Sequence, residues 1–336
     1  MRSTKRPPSP FSVSRRRFLG ALIAPIALGA CRSRPYRAAD FTVPERSAVC
    51  LSPAADYGVD FADVIGRALR ELGVDLRGRR VLLKPNLVEY DDGSATNTHP
   101  AVVAGAADAI LRAGAAEVVV GEGPGHRRDM EYLLTGSGLD HYLRDIGVRF
   151  VDLNLADVRR VPLRSRFTTL PELWLPVDVL RADVVVSMPK LKTHHWAGLT
   201  GSMKNLFGIV PGAVYGWPKN VLHAHGIENS ILDLNATVRS HVTIVDGVVG
   251  MEGDGPIMGR PRPVGFVAVG IDPVAVDATC ARLIGLDPFR MPYLVAASRF
   301  LGNIDVRQVD QRGESVSRYR TQFDLIERLK GLRLQS

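Results

Sequence analysis

The sequence predicts an α/β fold: a mainly parallel or mixed sheet with helices on both faces, arranged as one domain or as two intimate lobes. Three observations point there. Short β-branched runs alternate with segments of helical period along most of the chain, as strand–helix–strand units do. The run DVVVS at 183–187 is apolar through its middle, which suits a central strand covered on both sides. Polar clusters then follow one predicted strand after another, where the open edge of such a sheet lies.

Taken in order, 48–51 and 81–83 read as strands with a helix at 59–72 between them. Thr98 is a candidate N-cap and Pro100 sits in the first turn of a helix that runs to Leu111 and stops at Gly114. Strands follow at 117–120 and 149–153, with a helix at 139–146 between them. After the central strand come a helix at 227–239, strands at 242–245 and 264–269, and a last core helix at 273–284. Asp272 is its expected N-cap, and Val274, Val276 and Cys280 face inward. The domain is placed at 47–300, and the more polar stretch 301–336 is read as a peripheral extension.

The N-terminus reads as an address. SRRRFL at 14–19, carrying Arg15 and Arg16, is a twin-arginine signature, and the apolar stretch behind it is too short to span a bilayer. LGAC at 28–31 also has the form of a lipoprotein box. Cys31 is then either the acylated first residue, anchoring the chain to a membrane, or a neighbour of plain cleavage. Residues 1–30 are the predicted signal and 31–46 a linker. Six of the 43 basic residues fall within those thirty positions, which hold no acid, so the rest of the chain is only +2 rather than +8. The basic character belongs to the leader and argues against a nucleic-acid partner. The expected partners are the twin-arginine export machinery and a small anionic ligand, with the chain periplasmic or membrane-anchored. Cys50 and Cys280 lie in apolar runs and in no C-x-x-C pair, so an iron–sulfur cluster held by this chain has no support.

The chemistry-bearing residues gather in four segments behind strands: KPN at 84–86, GEGPGH at 121–126, MPKLKTHH at 188–195 and DG at 246–247. Converging at one sheet edge, Lys84, Asn86, Lys192, Thr193 and Asn205 would bind an anion through ammonium, hydroxyl and amide groups, and Gly253 and Gly255 through backbone N–H groups. A solvated-surface reading is adequate for any one lysine, less so for several at the end of a buried strand. Lys190, Lys204 and His194 are the candidates for moving a proton, since a lysine in a dry cleft loses its proton easily. His223 and His225, with Asp246 and Glu252, would suit a divalent metal, although no tight ligand motif is present. There is no G-x-S-x-G, Walker A or G-x-G-x-x-G pattern.

The pieces LLKPNLV, THP, GEGPG, SMPKLKTH, LTGSMKNLFG, DGVVGMEGDGP and IDPVAVDATCARLIG, in that order across about residues 80–285, resemble the domain-of-unknown-function 362 family. The resemblance implies a shared fold and cleft and no particular reaction. Many members are described as iron–sulfur proteins through a cysteine-rich, ferredoxin-like segment, which this sequence lacks. A fold-level analogy to the nickel-pincer lactate racemases has no motif match here. Three function classes follow: an exported enzyme acting on a small anionic substrate or phosphate-bearing cofactor, a non-catalytic envelope protein capturing a ligand or metal, and an accessory subunit of a redox complex.

Overall fold

Alternation along the strands decides the architecture. Val81, Leu83, Val120, Val186, Ile244 and Val269 enter one buried core, while their neighbours Leu82, Val119, Val185, Val245 and Ala268 enter another. Successive side chains of a strand point to opposite faces, so a sheet with both sets apolar must be covered twice. The first core is closed by the helices Phe61–Glu71 and Pro100–Arg112, the second by Ile227–Thr237 and Pro273–Leu283. Helix Phe61–Glu71 illustrates the local logic: Asp60 accepts from Asp63 N at its start, and Phe61, Val64, Ile65, Ala68 and Leu69 form its buried stripe.

The computed structural model describes residues 34–126 and 129–335. The strands are β1 (Ser47–Pro53), β2 (Arg80–Pro85), β3 (Glu117–Glu122), β4 (Arg149–Asp152), β5 (Val158–Pro162), β6 (Glu172–Pro176), β7 (Val184–Met188), β8 (Lys190–His194), β9 (Gly198–Thr200), β10 (Val242–Glu252), β11 (Arg260–Gly270) and β12 (Val309–Gly313). The main sheet has the order β12-β1-β11-β10-β7-β2-β3-β4, with β8 paired to β10 and β9, and β5–β6 forms a separate hairpin. The block β10-β7-β2-β3-β4 is parallel, whereas β11 runs antiparallel to both β10 and β1, so the sheet is mixed. From Pro35 onward the chain is one compact unit, not two lobes.

Several expectations are corrected. MPKLKTHH is not a loop behind a strand: after Pro189 the chain resumes as β8 beside β10. The DGVVGMEG stretch is also strand, because Gly247 lies under the Phe266 ring and Gly250 against Leu191 O and the Phe323 ring, where side chains have no room. The stretch 301–336 is not peripheral. β12 pairs in parallel with β1, Phe323 is fully buried, and Asp324 N donates to Glu252 at 3.0 Å. Its polarity reflects an edge strand rather than an unpacked tail. His99, not Thr98, caps the second helix, with Nδ1 accepting from Ala101 N, while Thr98 Oγ1 donates to Met188 O at 2.7 Å. Cys50 and Cys280 are free thiols in opposite cores. Arg15, Arg16 and Cys31 lie outside the described residues, and no described helix is long and apolar enough to cross a membrane.

Candidate functional site

β2 and β3 run side by side in register, with Leu83 opposite Val120, so their carboxyl ends deliver Lys84 and Glu122 to the same spot. Lys84 Nζ donates to Glu122 Oε2 at 2.6 Å and to Asn205 Oδ1 at 2.7 Å. Glu122 also accepts from Leu87 N and Gly123 N, and Asn205 Nδ2 donates to Lys84 O and Ser187 Oγ. All three side chains are buried. Burial lowers the Lys84 pKa and the Glu122 carboxylate beside it pulls it back up. Asn205 stands on the one-turn helix Ser202–Asn205, which is held from below: Ser202 N and Met203 N donate to Asp277 at 2.6 and 3.1 Å. Asp277 is itself buried, and burial pushes its carboxyl up to about 7. The last core helix thereby positions the site.

Above this network opens a cavity of about 570 Å³ at the carboxyl edge of the parallel block. Lys192 reaches it from β8. Among the described residues its Nζ donates only to the carbonyls of Thr96 and Pro256, at 2.6 and 3.1 Å, and burial, followed by the nearby Lys190, Lys204 and Lys84, drives its pKa well down. Lys204 Nζ lies 4.2 Å over the Phe207 ring, with no acceptor among the described residues. Burial and the charge of Lys84 lower its pKa to about 7. Lys219 is held in a left-handed conformation, φ 70°, which costs energy for any side chain but glycine. Its Nζ donates to Asn154 Oδ1 at 2.6 Å and to Val210 O, and burial lowers its pKa to about 7. Four buried lysines therefore share the cavity with one buried carboxylate, Glu122, and with the less buried Glu89 and Asp254.

His194 completes the set. Its Nδ1 accepts from Trp196 N and Ala197 N, both at 3.2 Å, and burial holds the ring well below its ordinary pKa. The ring is therefore neutral with its proton on Nε2, a fixed donor. Two cavity-lining oxygens, Asn86 Oδ1 and Thr200 Oγ1, are buried without a hydrogen-bond partner among the described residues. An unpaired buried polar atom is costly, and a ligand with donors would satisfy both.

Lys84, Asn86, Lys192, His194, Lys204, Asn205 and His223 thus line one cavity. The remaining sequence candidates do not. Lys190 borders a separate cavity of about 370 Å³, and its Nζ donates to Asp246 at 2.9 Å and to the Tyr57 hydroxyl at 2.6 Å. Thr193 donates to Gly253 O, and a Cβ on Gly255 would collide with Thr193 O, so these three residues build a tight turn rather than a ligand cradle. The proposed metal set is dispersed. Asp246 is engaged by Lys190, Glu252 by Arg260 and Asp324 N, and His225 by Thr169, while His223 lies in the main cavity. Among the described residues no three His, Cys, Asp or Glu side chains form a group that could hold a metal. Sequence reasoning missed Glu122 as a site residue, although it closes an apolar strand. It also missed Lys219, which stands alone in a turn and carries no pattern.

The family model described as Domain of unknown function (DUF362) matches residues 81–282, which contain every lysine of this cavity. A curated thylakoid-associated protein of Synechocystis sp. is 31% identical over 227 residues, covering 66% of this chain and 68% of its own length. Two solved structures are more distant. The lactate racemase apoprotein of Thermoanaerobacterium thermosaccharolyticum is 15% identical with a TM-score of 0.41, over 66% of this chain and 56% of that one. A crystal structure of a Thermotoga maritima protein is 14% identical with a TM-score of 0.36, over 65% of this chain and 58% of that one. This chain spans little more than half of either solved structure. By the extent of the family match and by its curated relative, the chain belongs to the DUF362 family.

Proposed function

We propose that this protein is an exported α/β enzyme that binds a small organic anion in the strand-end cavity and moves a proton on it. The observation that carries the reading is the set of buried ammonium groups there: Lys84, Lys192, Lys204 and Lys219 share the cavity with one buried carboxylate, Glu122, while its other two carboxylates, Glu89 and Asp254, are less buried. Lys84 is already paired and Lys192 is held by carbonyls, so they fix the field. Lys204 is the group with a nitrogen left to engage a ligand. With a pKa of about 7 it exists both as an anchor and as a base near neutrality. The Nε2–H of His194 supplies a neutral donor for an oxyanion.

Sulfate tests the anchoring, because its charge does not change near neutrality. Lys204 is an ammonium below about 7 and an amine above it, so sulfate affinity is expected to fall as pH rises from 6 to 9, with a midpoint somewhat above 7 once the bound anion favours the charged form. Lys204→Gln should weaken sulfate binding at pH 6 about tenfold or more and flatten the part of the slope that Lys219 does not supply. Calorimetric titration giving equal affinities for wild type and K204Q across that range would sink the assignment.

Membrane proximity is part of the same proposal. It is supported by the Arg15–Arg16 leader, the LGAC sequence at 28–31 and the thylakoid association in the name of the relative. Cys31→Ser is expected to shift the protein from the membrane to the soluble fraction after cell fractionation. Unchanged partition of C31S would remove lipidation from the picture.

A further inference from the structure

The walls of the cavity narrow the kind of anion it takes. Most of the surface it exposes is apolar, with Leu87, Pro124, Phe207 and Ile257 among the contributors, although Glu89, Asp254 and histidines line it beside the inner lysines. The aromatic groups are ordered from rim to floor. Trp196 is 49% exposed, its ring meets that of His223 edge-on at 5.3 Å, His223 meets Phe207 at 5.8 Å, and Phe207 carries the Lys204 ammonium at 4.2 Å. Met258, 78% exposed, lines the same cavity. A bare oxyanion at the lysines would leave this aromatic wall wet and most of about 570 Å³ unfilled.

We propose that the ligand is an aromatic anion, a phosphate or carboxylate head joined to a flat ring system, which enters head first and lays its ring along Phe207, His223 and Trp196. This rests on the anion-binding reading above and adds the ring to it. Flat rings pair with aromatic side chains through stacked or edge-on contacts that a flexible chain does not reproduce. The two unpaired oxygens, Asn86 Oδ1 and Thr200 Oγ1, would take donors from ring substituents or from the protonated head.

The test is calorimetric titration of the full mature chain at pH 6.5 with inorganic phosphate, 1-naphthyl phosphate, 1-naphthoate and octyl phosphate. At least one naphthyl anion is expected to bind about tenfold or more tighter than inorganic phosphate, a gain of about 1.4 kcal/mol. Trp196→Ala should remove most of that gain while leaving the inorganic phosphate affinity unchanged. Trp196 is half-exposed, so the variant is expected to fold. Naphthyl anions that bind no better than inorganic phosphate, octyl phosphate that matches 1-naphthyl phosphate, or a W196A protein with an unchanged preference would each overturn the aromatic assignment and leave anion binding standing. Binding of none of the four would overturn both.

Discussion

Lys84→Met is expected to destabilise the protein by about 3–5 kcal/mol, the range seen when one partner of a buried ion pair is removed. The cost comes less from the lost contact than from what remains. Glu122 would stay buried, still fixed by Leu87 N and Gly123 N but without its counter-charge, and Asn205 Oδ1 would lose its donor. The double variant Lys84→Met/Glu122→Gln should recover part of the loss, because a neutral amide strands no charge while its oxygen still accepts a backbone N–H. Urea unfolding of the two variants beside wild type checks this. A double variant no more stable than the single one would mean that the stranded carboxylate is not the cause.

Gly208→Ala is the second large effect. A Cβ at this position would collide with Glu122 Oε1 and come within 2.5 Å of Lys84 Nζ, neither of which has room to move. Gly208 O is also 2.9 Å from where a Cβ of Gly123 would be, so the two glycines let the chain behind β3 and the turn at Leu206–Ile209 close over the ion pair. Overpacking of a rigid core costs about 1–3 kcal/mol, and here it falls on the charged floor of the site. G208A is therefore expected to lose sulfate binding to a greater extent than its drop in melting temperature suggests. A variant that melts early but binds sulfate normally would show that the glycine serves packing alone.

The sequence displays this fold well where one rule governs one element. The apolar runs at 81–83, 117–120 and 183–187, and the Asp272-capped, largely apolar helix Pro273–Leu283, are local patterns with local causes. It hides the fold where an element depends on a distant partner. β8 and the long arms of β10 and β11 are rich in glycine, lysine and proline; they are strands through pairing with one another, and rings from Phe266 and Phe323 fill the space left by Gly247 and Gly250 of β10. β12 carries the polarity of a tail and acquires strand geometry from β1, more than 250 residues earlier.

The site divides along the same line. Lys84, Lys192 and Lys204 stand out as cations packed among apolar neighbours, and their convergence follows from strand ends meeting at one edge. The fates of Lys190 and Lys192 were not legible. Two residues apart on β8, they part company because β10 slips in register between Asp246 and Met251, leaving one lysine bonded to Asp246 and the other open to the large cavity. The acidic candidates failed for a related reason. Asp246 and Glu252 look available in one dimension and are each occupied by a base from elsewhere in the chain.

The pairing of β12 with β1 bears on how this family should be handled at the bench. The family match begins at residue 81 and ends at 282, so it leaves out both of these strands as well as Phe323. A chain trimmed to those limits would bare the flank of β11 at residues 266–270, and such an open flank invites neighbouring molecules to add themselves. Insolubility of a trimmed piece would then report on a missing hem, and would say nothing about the lysine-lined chamber inside.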